Sequence, residues 1–305
     1  MQRSDEKRLP PLALDGNDRV AAVAGRQQAL LFAVLLLVDS MHFIFARLLL
    51  PHMAPTTSAM YVLGIGAVEV GLFALVRRKL RLAPVAKHFW FFLAIGALIA
   101  LSTMLSYESV AFVEPGTASL LSKTGVIFTL LLSVLWLGER FGRRQLAGSL
   151  VTITGAVMMS YVPGDYLHFG ALLILISTLF YALHAAIVKR YGGDIDFLNF
   201  FFYRLAFTST ILFALSLARG ALTVPDAATA LLLLVTGTVD VVISRAIYYA
   251  TMRTLPLSVH TIILMLSPVV SIFVALLLFQ SFPTLQELAG GLLVLAGVFI
   301  VTRNR

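Results

Sequence analysis

Residues 105–160 read LSYESVAFVEPGTASLLSKTGVIFTLLLSVLWLGERFGRRQLAGSLVTITGAVMMS, three apolar stretches joined by two short polar turns. The first turn is Glu114-Pro115-Gly116, and the second contains Arg143-Arg144. The middle stretch carries a single lysine, Lys123, near its start. A charge inside a membrane helix costs about 2.5–3.5 kcal/mol on insertion scales, so such residues are usually functional. The segment therefore predicts three consecutive membrane helices and one lysine with a role beyond folding.

The composition of the whole chain extends this interpretation. Of its 305 residues, 59% are hydrophobic and 12% are charged, whereas a soluble domain has roughly 45–50% apolar and about 25% charged residues. The chain is therefore predicted to be an all-α integral membrane protein embedded in the lipid bilayer. Its net charge of +8 does not indicate nucleic acid, because nearly all cations lie in short loops and tails. The lack of cysteine excludes disulfides, thiolate catalysis and Cys-ligated metals.

A helix that crosses the membrane needs about 20 apolar residues. Ten stretches approach this length: 29–50, 56–76, 89–111, 116–137, 144–162, 168–188, 197–218, 227–250, 257–279 and 285–302. If both termini are cytoplasmic, the inner segments hold 18 of the 23 Lys and Arg residues, and the outer ends hold only Arg47 and Arg219. This skew predicts a multi-pass protein of the inner (plasma) membrane with both termini in the cytoplasm. Residues 1–28 are polar and are predicted to form a disordered cytosolic tail.

An internal repeat divides the chain into halves. One constant offset, called the repeat offset below, places Gly148 on Gly290 and Gly155 on Gly297. Further matches at the same offset are Tyr61 on Tyr203, Tyr107 on Tyr249, His42 on His184 and Arg47 on Lys189. Each half has five helices, an odd number, so the halves are predicted to insert with opposite orientation. Inverted repeats are typical of secondary transporters, whose substrate site lies near the membrane midplane.

Short motifs recur in both halves. In the first half they are Glu114-Pro115-Gly116-Thr117-Ala118, Leu137-Gly138-Glu139 and Gln145-Leu146-Ala147-Gly148; in the second they are Leu255-Pro256-Leu257-Ser258, Ser267-Pro268 and Glu287-Leu288-Ala289-Gly290. On these motifs the chain resembles the EamA branch of the drug/metabolite transporter superfamily over about residues 29–302. The resemblance implies ten transmembrane helices arranged as two inverted five-helix repeats, at 29–162 and 163–305. Val126 stands where the family has a proline, so the sequence leaves a kink in the fourth helix open.

Polar residues inside the spans are the candidates for a site, because such residues usually face the bundle interior or a cavity. They are Asp39, His42, Glu69, Glu108, Lys123, His184, Arg204, Asp240, Arg245 and His260. Asp39 and His42 lie one turn apart, and their counterparts in the repeat are Tyr181 and His184. The repeat thus predicts two histidines facing each other near the midplane. They either handle protons or grip the substrate, since histidine titrates near neutral pH, or they form neutral hydrogen bonds between helices.

Lys123 lies in the fourth helix, which in the resembling family lines a central cavity. It is predicted to bind a carboxylate or phosphate; the alternatives are pairing with Glu108 or Glu114, or snorkelling to the outer surface. In the eighth helix, Arg245 shares a face with Tyr248 and Tyr249, which favours either an anion site or an internal ion pair.

Two other charges in this part of the chain lead to different expectations. Asp240 lies about 140° around the helix from Arg245 and is expected to meet another helix. Arg204 is expected to snorkel to the cytosol. Glu69 has no partner nearby in the sequence.

These features favour secondary transport of a small organic metabolite or amino-acid-like solute, and they favour export over import. The halves would rock about a site lined by helices 1, 3, 4, 6, 8 and 9. The predicted substrate-binding residues are Lys123, Tyr107, Arg245, Tyr248, Tyr249, His184 and Tyr181; the predicted proton-coupling residues are Asp39, His42 and Asp240. No cofactor or metal is predicted, and the protein would be a monomer or a homodimer.

Two other functions were weighed against transport. An enzyme acting on a lipid-linked substrate would reveal itself by a chemically altered product, but HExxH, P-loop and GxSxG motifs are missing. A sensor or assembly partner without transport is disfavoured by the density of embedded charge.

Overall fold

The structure is a computed structural model that describes residues 30–136, 142–161, 169–193, 195–248 and 264–302. These residues form helices and short connections, with no strand among them, as the composition predicts. The helices are α1 Leu30–Leu49, α2 Pro55–Val76, α3 Ala83–Lys87, α4 Phe89–Ser109, α5 Pro115–Ser122, α6 Gly125–Leu135, α7 Arg143–Ser160, α8 Phe169–Tyr191, α9 Phe197–Ala218, α10 Ala227–Tyr248, α11 Ser267–Phe279 and α12 Leu285–Thr302.

Seven helical spans in the described residues are long and apolar enough to cross a membrane: α1, α2, α4, α5 with α6, α8, α9 and α10. Two shorter apolar helices, α11 and α12, follow them. The protein is therefore a multi-pass membrane protein. The predicted tail, the first residues of the ninth predicted span (257–263) and the Leu137-Gly138-Glu139 motif lie outside the described residues.

The helix boundaries repeat along the chain. The offset that aligns Gly148 with Gly290 also relates α2 to α9 and α7 to α12, at both their first and their last residues. The first residues of α6 and α11, Gly125 and Ser267, are related by the same offset. Because the starts and stops of helices follow local sequence signals, a single offset in the boundaries means that one structural unit occurs twice. The two-repeat architecture predicted from the sequence is confirmed.

Helices α7 and α12 cross at their paired glycines. A Cβ atom added to Gly148 would lie 2.7 Å from the carbonyl oxygen of Gly297, and one added to Gly155 would lie 2.5 Å from that of Gly290. Only glycine lets the two backbones approach so closely. The first glycine of each helix meets the second glycine of the other, so the helices run antiparallel, as inverted repeats require. These glycines therefore permit the close packing of α7 on α12.

The α2–α9 pair is held by hydrogen bonds that recur with the repeat offset at its two ends. The Tyr61 hydroxyl donates to the carbonyl oxygen of Thr223 at 3.1 Å, and the hydroxyl of its counterpart Tyr203 donates to that of Arg81 at 2.8 Å. A second pair of bonds follows the same pattern: Thr57 Oγ1 to the carbonyl oxygen of Ala221 at 2.8 Å, and Asn199 Nδ2 to that of Lys79 at 3.0 Å. Donors and acceptors are both displaced by the repeat offset, so the two-fold relation extends to individual bonds.

Three helical spans are irregular where they carry charged side chains. Helix α1 has a turn at Met41, and the fourth span breaks at Lys123-Thr124 between α5 and α6. Helix α10 is π-helical over Gly237–Ile243, a form that often marks functional sites.

The break at Lys123 forms without a proline. The hydroxyls of Ser122 and Thr124 donate to the carbonyl oxygens of Ser119 and Leu121, both at 2.7 Å. Such side-chain bonds compete with the backbone and bend helices. The backbone tightens accordingly, with the amide of Lys123 bonding the carbonyl of Leu120 at 3.2 Å, three residues back. The fourth span is thus interrupted although Val126 replaces the proline.

Candidate functional site

A cavity of about 600 Å³ is lined by residues of both repeats. This volume lies within the range of about 300–1,000 Å³ that is usual for small-molecule sites. The six helices predicted to line the site (1, 3, 4, 6, 8 and 9 of the ten predicted spans) all contribute. In the numbering of the structure they are α1, α4, α5 with α6, α8, α10 and α11. Residues of α2, α7, α9 and α12 complete the wall. Its lining includes five formally charged side chains, Asp39, Lys123, Arg204, Asp240 and Arg245.

Helix α1 supplies one member to each of two side-chain pairs in the cavity. His42 Nδ1 lies 2.9 Å from Asp240 Oδ2, in the π-helical part of α10. This contact links the first repeat to the second. Asp39 Oδ2 lies 3.7 Å from Lys123 Nζ at the break between α5 and α6. Asp240 therefore meets another helix, as expected. The partner of Lys123 is Asp39, and neither of the glutamates proposed from the sequence.

Aromatic rings flank both histidines. The ring of Tyr107 on α4 lies edge-on to His42, with ring centroids 5.6 Å apart. On α8, Tyr181 lies beside His184 at the same centroid distance of 5.6 Å. Neither ring nitrogen of His184 has a hydrogen-bond partner within the described residues, and its side chain is buried. The two histidines thus have different surroundings, because His42 has a carboxylate partner and His184 does not have one there.

Two arginines add positive charge to the second-repeat side of the cavity. The guanidinium of Arg204 on α9 lies 5.2 Å from the ring centroid of Phe201, and that of Arg245 on α10 lies 5.8 Å from the ring centroid of Tyr248. Arg204 was expected to snorkel to the cytosol, but it lines the cavity and its Nε atom is buried. The expectation was wrong because distance from the end of a helix does not reveal which way a side chain points.

Hydroxyl groups form the wall where α4 meets α8. Ser102 Oγ donates to the carbonyl oxygen of Ser177 at 2.9 Å, and Ser177 Oγ donates to that of Ser102 at 2.8 Å. Ser106 Oγ lies 2.7 Å from Ser177 Oγ. These buried bonds connect the two repeats beside the cavity. The serines were missed in the sequence, although hydroxyl residues one turn apart in a membrane helix are a known signal for contacts between helices.

The structure brings seven of the ten predicted site residues to the cavity: Asp39, His42, Tyr107, Lys123, Tyr181, Asp240 and Arg245. His184 and Tyr248 are described but do not belong to its lining, and Tyr249 lies outside the described residues. Their assigned roles in binding and proton coupling remain predictions.

The two embedded glutamates without an assigned role both have partners. Glu69 accepts a hydrogen bond from Thr238 Oγ1 at 2.6 Å, in the π-helical part of α10. Glu108 pairs with Arg219 at 2.5 Å, so it forms an ion pair at the end of the bundle. No group of three or more His, Cys, Asp or Glu side chains that could hold a metal ion occurs in the described part of the chain.

Depth in the membrane would have identified the partner of Lys123. Lys123 lies eight residues after Pro115, the start of α5, and Asp39 lies ten residues before Leu49, the end of α1. At about 1.5 Å per residue, these positions are about 12 and 15 Å from the same end of the bundle. Glu108 and Glu114 lie at that end itself. Matching depths therefore favours Asp39.

Comparisons with known proteins agree with this architecture. The profile of the "EamA-like transporter family" matches residues 27–161 and again residues 168–303. The chain is similar to "Uncharacterized transporter YdfC" of Bacillus subtilis (strain 168), with 29% identity over 252 residues, 80% of each protein. It is also similar to "Probable terminal-alkyne amino-acid exporter" of Streptantibioticus cattleyicolor, with 28% identity over 199 residues, 63% of this chain and 65% of that protein.

A solved structure shares the fold. A protein crystal structure with 17% sequence identity superposes with a TM-score of 0.63, covering 91% of this chain and 98% of that chain. The family profile matches twice, once over each half of the chain, and together the matches span nearly its whole length. The chain therefore belongs to the EamA-like transporter family of the drug/metabolite transporter superfamily.

Proposed function

We propose that this transporter exports a small amino-acid-like solute by alternating access and that proton movement drives the cycle. The observation that carries the proposal is the cavity between the repeats, which is lined by both carboxylates and cations. A solute that carries both charges matches such a lining. The similarity to "Probable terminal-alkyne amino-acid exporter" supports the same substrate class and direction. Because the family consists of transporters, the alternative of a membrane enzyme is set aside.

The His42–Asp240 pair is the proposed proton carrier. It joins α1 of the first repeat to α10 of the second, so its breakage and formation can follow the rocking of the repeats. The groups around it are Asp39 one turn away on α1, Arg245 on α10 and the Tyr107 ring on α4. A carboxylate next to histidine in a membrane protein is a common arrangement for proton relays.

The transport test uses purified protein in liposomes loaded with one labelled L-amino acid at a time. Counterflow of at least one amino acid above that of liposomes without protein is expected, and an imposed pH gradient should accelerate its net efflux. The Asp240→Asn variant should keep counterflow, since exchange needs no net proton movement, but lose the acceleration. Absence of counterflow for every amino acid would refute the substrate class. Acceleration that persists in Asp240→Asn would refute the assigned carrier.

The proposed topology has ten spans, two repeats at 29–162 and 163–305, a cytosolic tail, and both termini in the cytoplasm of a plasma-membrane protein. Because the natural chain has no cysteine, single cysteines can be introduced without removing others. In intact cells, a membrane-impermeant maleimide should label Thr223→Cys but not Ser4→Cys. Both should react once the cells are broken. The reverse pattern in intact cells would overturn the orientation.

A further inference from the structure

The two carboxylates of the cavity are held differently. Asp240 has a side chain only 10% exposed and lies within hydrogen-bond distance of His42, at 2.9 Å. Asp39 is 25% exposed, and the Nζ atom of its partner Lys123 is 3.7 Å away. Hydrogen bonds between nitrogen and oxygen span about 2.7–3.2 Å, so the second pair attracts by charge without a hydrogen bond. The first pair is hydrogen-bonded, and the second pair is looser.

The loose pair keeps unused bonding capacity toward the cavity. Within the described residues, neither the Asp39 carboxylate nor the Lys123 ammonium makes a side-chain hydrogen bond. An ionised carboxylate accepts several hydrogen bonds and an ammonium donates three. Charged groups away from water are stable only when they are paired and hydrogen-bonded. A ligand that supplies the missing bonds to both groups would therefore be favoured.

We infer that Asp39 and Lys123 form the head-group site for a zwitterion, in which the substrate ammonium binds Asp39 and the substrate carboxylate binds Lys123. The inference rests on the proposed transport of amino-acid-like solutes and deepens it. Inserting a zwitterion exchanges one ion pair for two and leaves the net charge of the cavity unchanged. A simple anion or cation would satisfy only one of the two groups and would add a net charge to a site of low dielectric, which is costly.

This assignment gives Asp39 a role different from proton coupling. Its neighbour His42 on α1 already has Asp240 as its partner, so Asp39 is free of that pair and faces Lys123. The residue that corresponds to Asp39 in the second repeat is Tyr181, which also lines the cavity and is 42% exposed. The pair of opposite charges therefore exists in the first repeat alone, so the site can orient an asymmetric substrate.

The experiment measures binding to the purified, full-length protein. The probes are the L-amino acid with the strongest counterflow, its methyl ester, which is a cation, and its N-acetyl derivative, which is an anion. Wild type should bind the amino acid at least about tenfold more tightly than either derivative, a difference of about 1.4 kcal/mol. Asp39→Asn should lose this preference and bind the N-acetyl derivative about as well as wild type. Lys123→Met should also lose the preference for the amino acid, but it should bind the methyl ester about as well as wild type does.

Two further variants separate the site from general damage. Glu108→Gln breaks the ion pair with Arg219 outside the cavity and should leave the preference for the zwitterion intact. The double variant Asp39→Lys with Lys123→Asp restores a pair of opposite charges and should recover part of the preference. If amino acids show counterflow but Asp39→Asn keeps the wild-type preference, the head-group site is wrong and the transport proposal stands. If no amino acid shows counterflow, both fail.

Discussion

Alanine at Gly155 should weaken the crossing of α7 and α12, the contact that ties the ends of the two repeats together. The added Cβ atom would lie 2.5 Å from the carbonyl oxygen of Gly290 and 2.7 Å from the amide nitrogen of Val294. Ordinary contacts begin near 3.4 Å, so the helices would have to separate by about 0.9 Å. Both neighbouring atoms belong to the backbone and cannot rotate away.

The expected loss follows from two opposing terms. Alanine is about 1 kcal/mol more favourable than glycine within a helix. Overpacking of a close contact costs about 1–3 kcal/mol. The net effect is a loss of up to about 2 kcal/mol. At about 2 °C per kcal/mol for a chain of this size, the apparent unfolding temperature should fall by up to about 4 °C.

The assay is thermal unfolding in detergent, followed by the fluorescence of the two tryptophans at one fixed scan rate. The matched control is Gly64→Ala in α2, where the nearest atom to the added Cβ is Ser209 Cβ at 3.8 Å. The residue that corresponds to Gly64 in the second repeat is already alanine, Ala206. The control should unfold at the wild-type temperature or slightly above it. The reasoning fails if Gly155→Ala is as stable as Gly64→Ala.

Further substitutions test three other sets of contacts. Tyr203→Phe removes a hydrogen bond from a buried tyrosine and should lower stability by about 1 kcal/mol. Tyr61→Phe removes an exposed hydrogen bond and should lower stability by less. Equal losses of stability in thermal unfolding would contradict this reasoning. Ser177→Ala leaves the buried Ser106 hydroxyl without its partner and should lower stability by about 1–3 kcal/mol, whereas Ser177→Thr should retain part of the bonding; a neutral alanine variant would argue against the serine contact. Asp226 caps α10, and its hydrogen bonds to Thr229 hold its pKa below the ordinary value of 3.8. Its contribution is therefore present above the pKa of the unfolded chain and lost as the pH falls through the lower folded pKa. Asp226→Asn should keep the helix cap, but stability should fall less steeply as the pH is lowered. If stability falls with pH as in wild type, Asp226 does not contribute to this pH dependence.

The membrane fold and its repeat could be predicted because both follow from the order of residues along the chain. Stretches of apolar residues and the placement of lysine and arginine do not depend on neighbours in space. The repeat offset found in the sequence recurs in the helix boundaries, in the glycine contacts and in the hydrogen bonds. The sequence does not decide whether the fourth span breaks, because the break is caused by local hydrogen bonds of Ser122 and Thr124 and not by a proline.

The candidate site could be predicted in part of its membership but not in its pairings. The embedded charges at Asp39, Lys123, Asp240 and Arg245 stand out in the sequence, and all of them line the cavity. Their partners depend on the rotation of each helix about its axis and on the distance between helices. For that reason the glutamates near Lys123 in sequence were considered as partners, whereas the residue that faces it lies far back in the chain, on α1.

The sequence alone determined that this protein is an all-helical membrane transporter with two related halves, because hydrophobic length, charge bias and internal repetition are properties of the chain itself. Tertiary structure alone decided that Gly148 meets Gly297 and not its repeat counterpart Gly290. It also decided that Arg204 turns into the cavity and that Asp39 faces Lys123. Antiparallel packing reverses the order of contacts, and only packing selects which charges are close enough to interact.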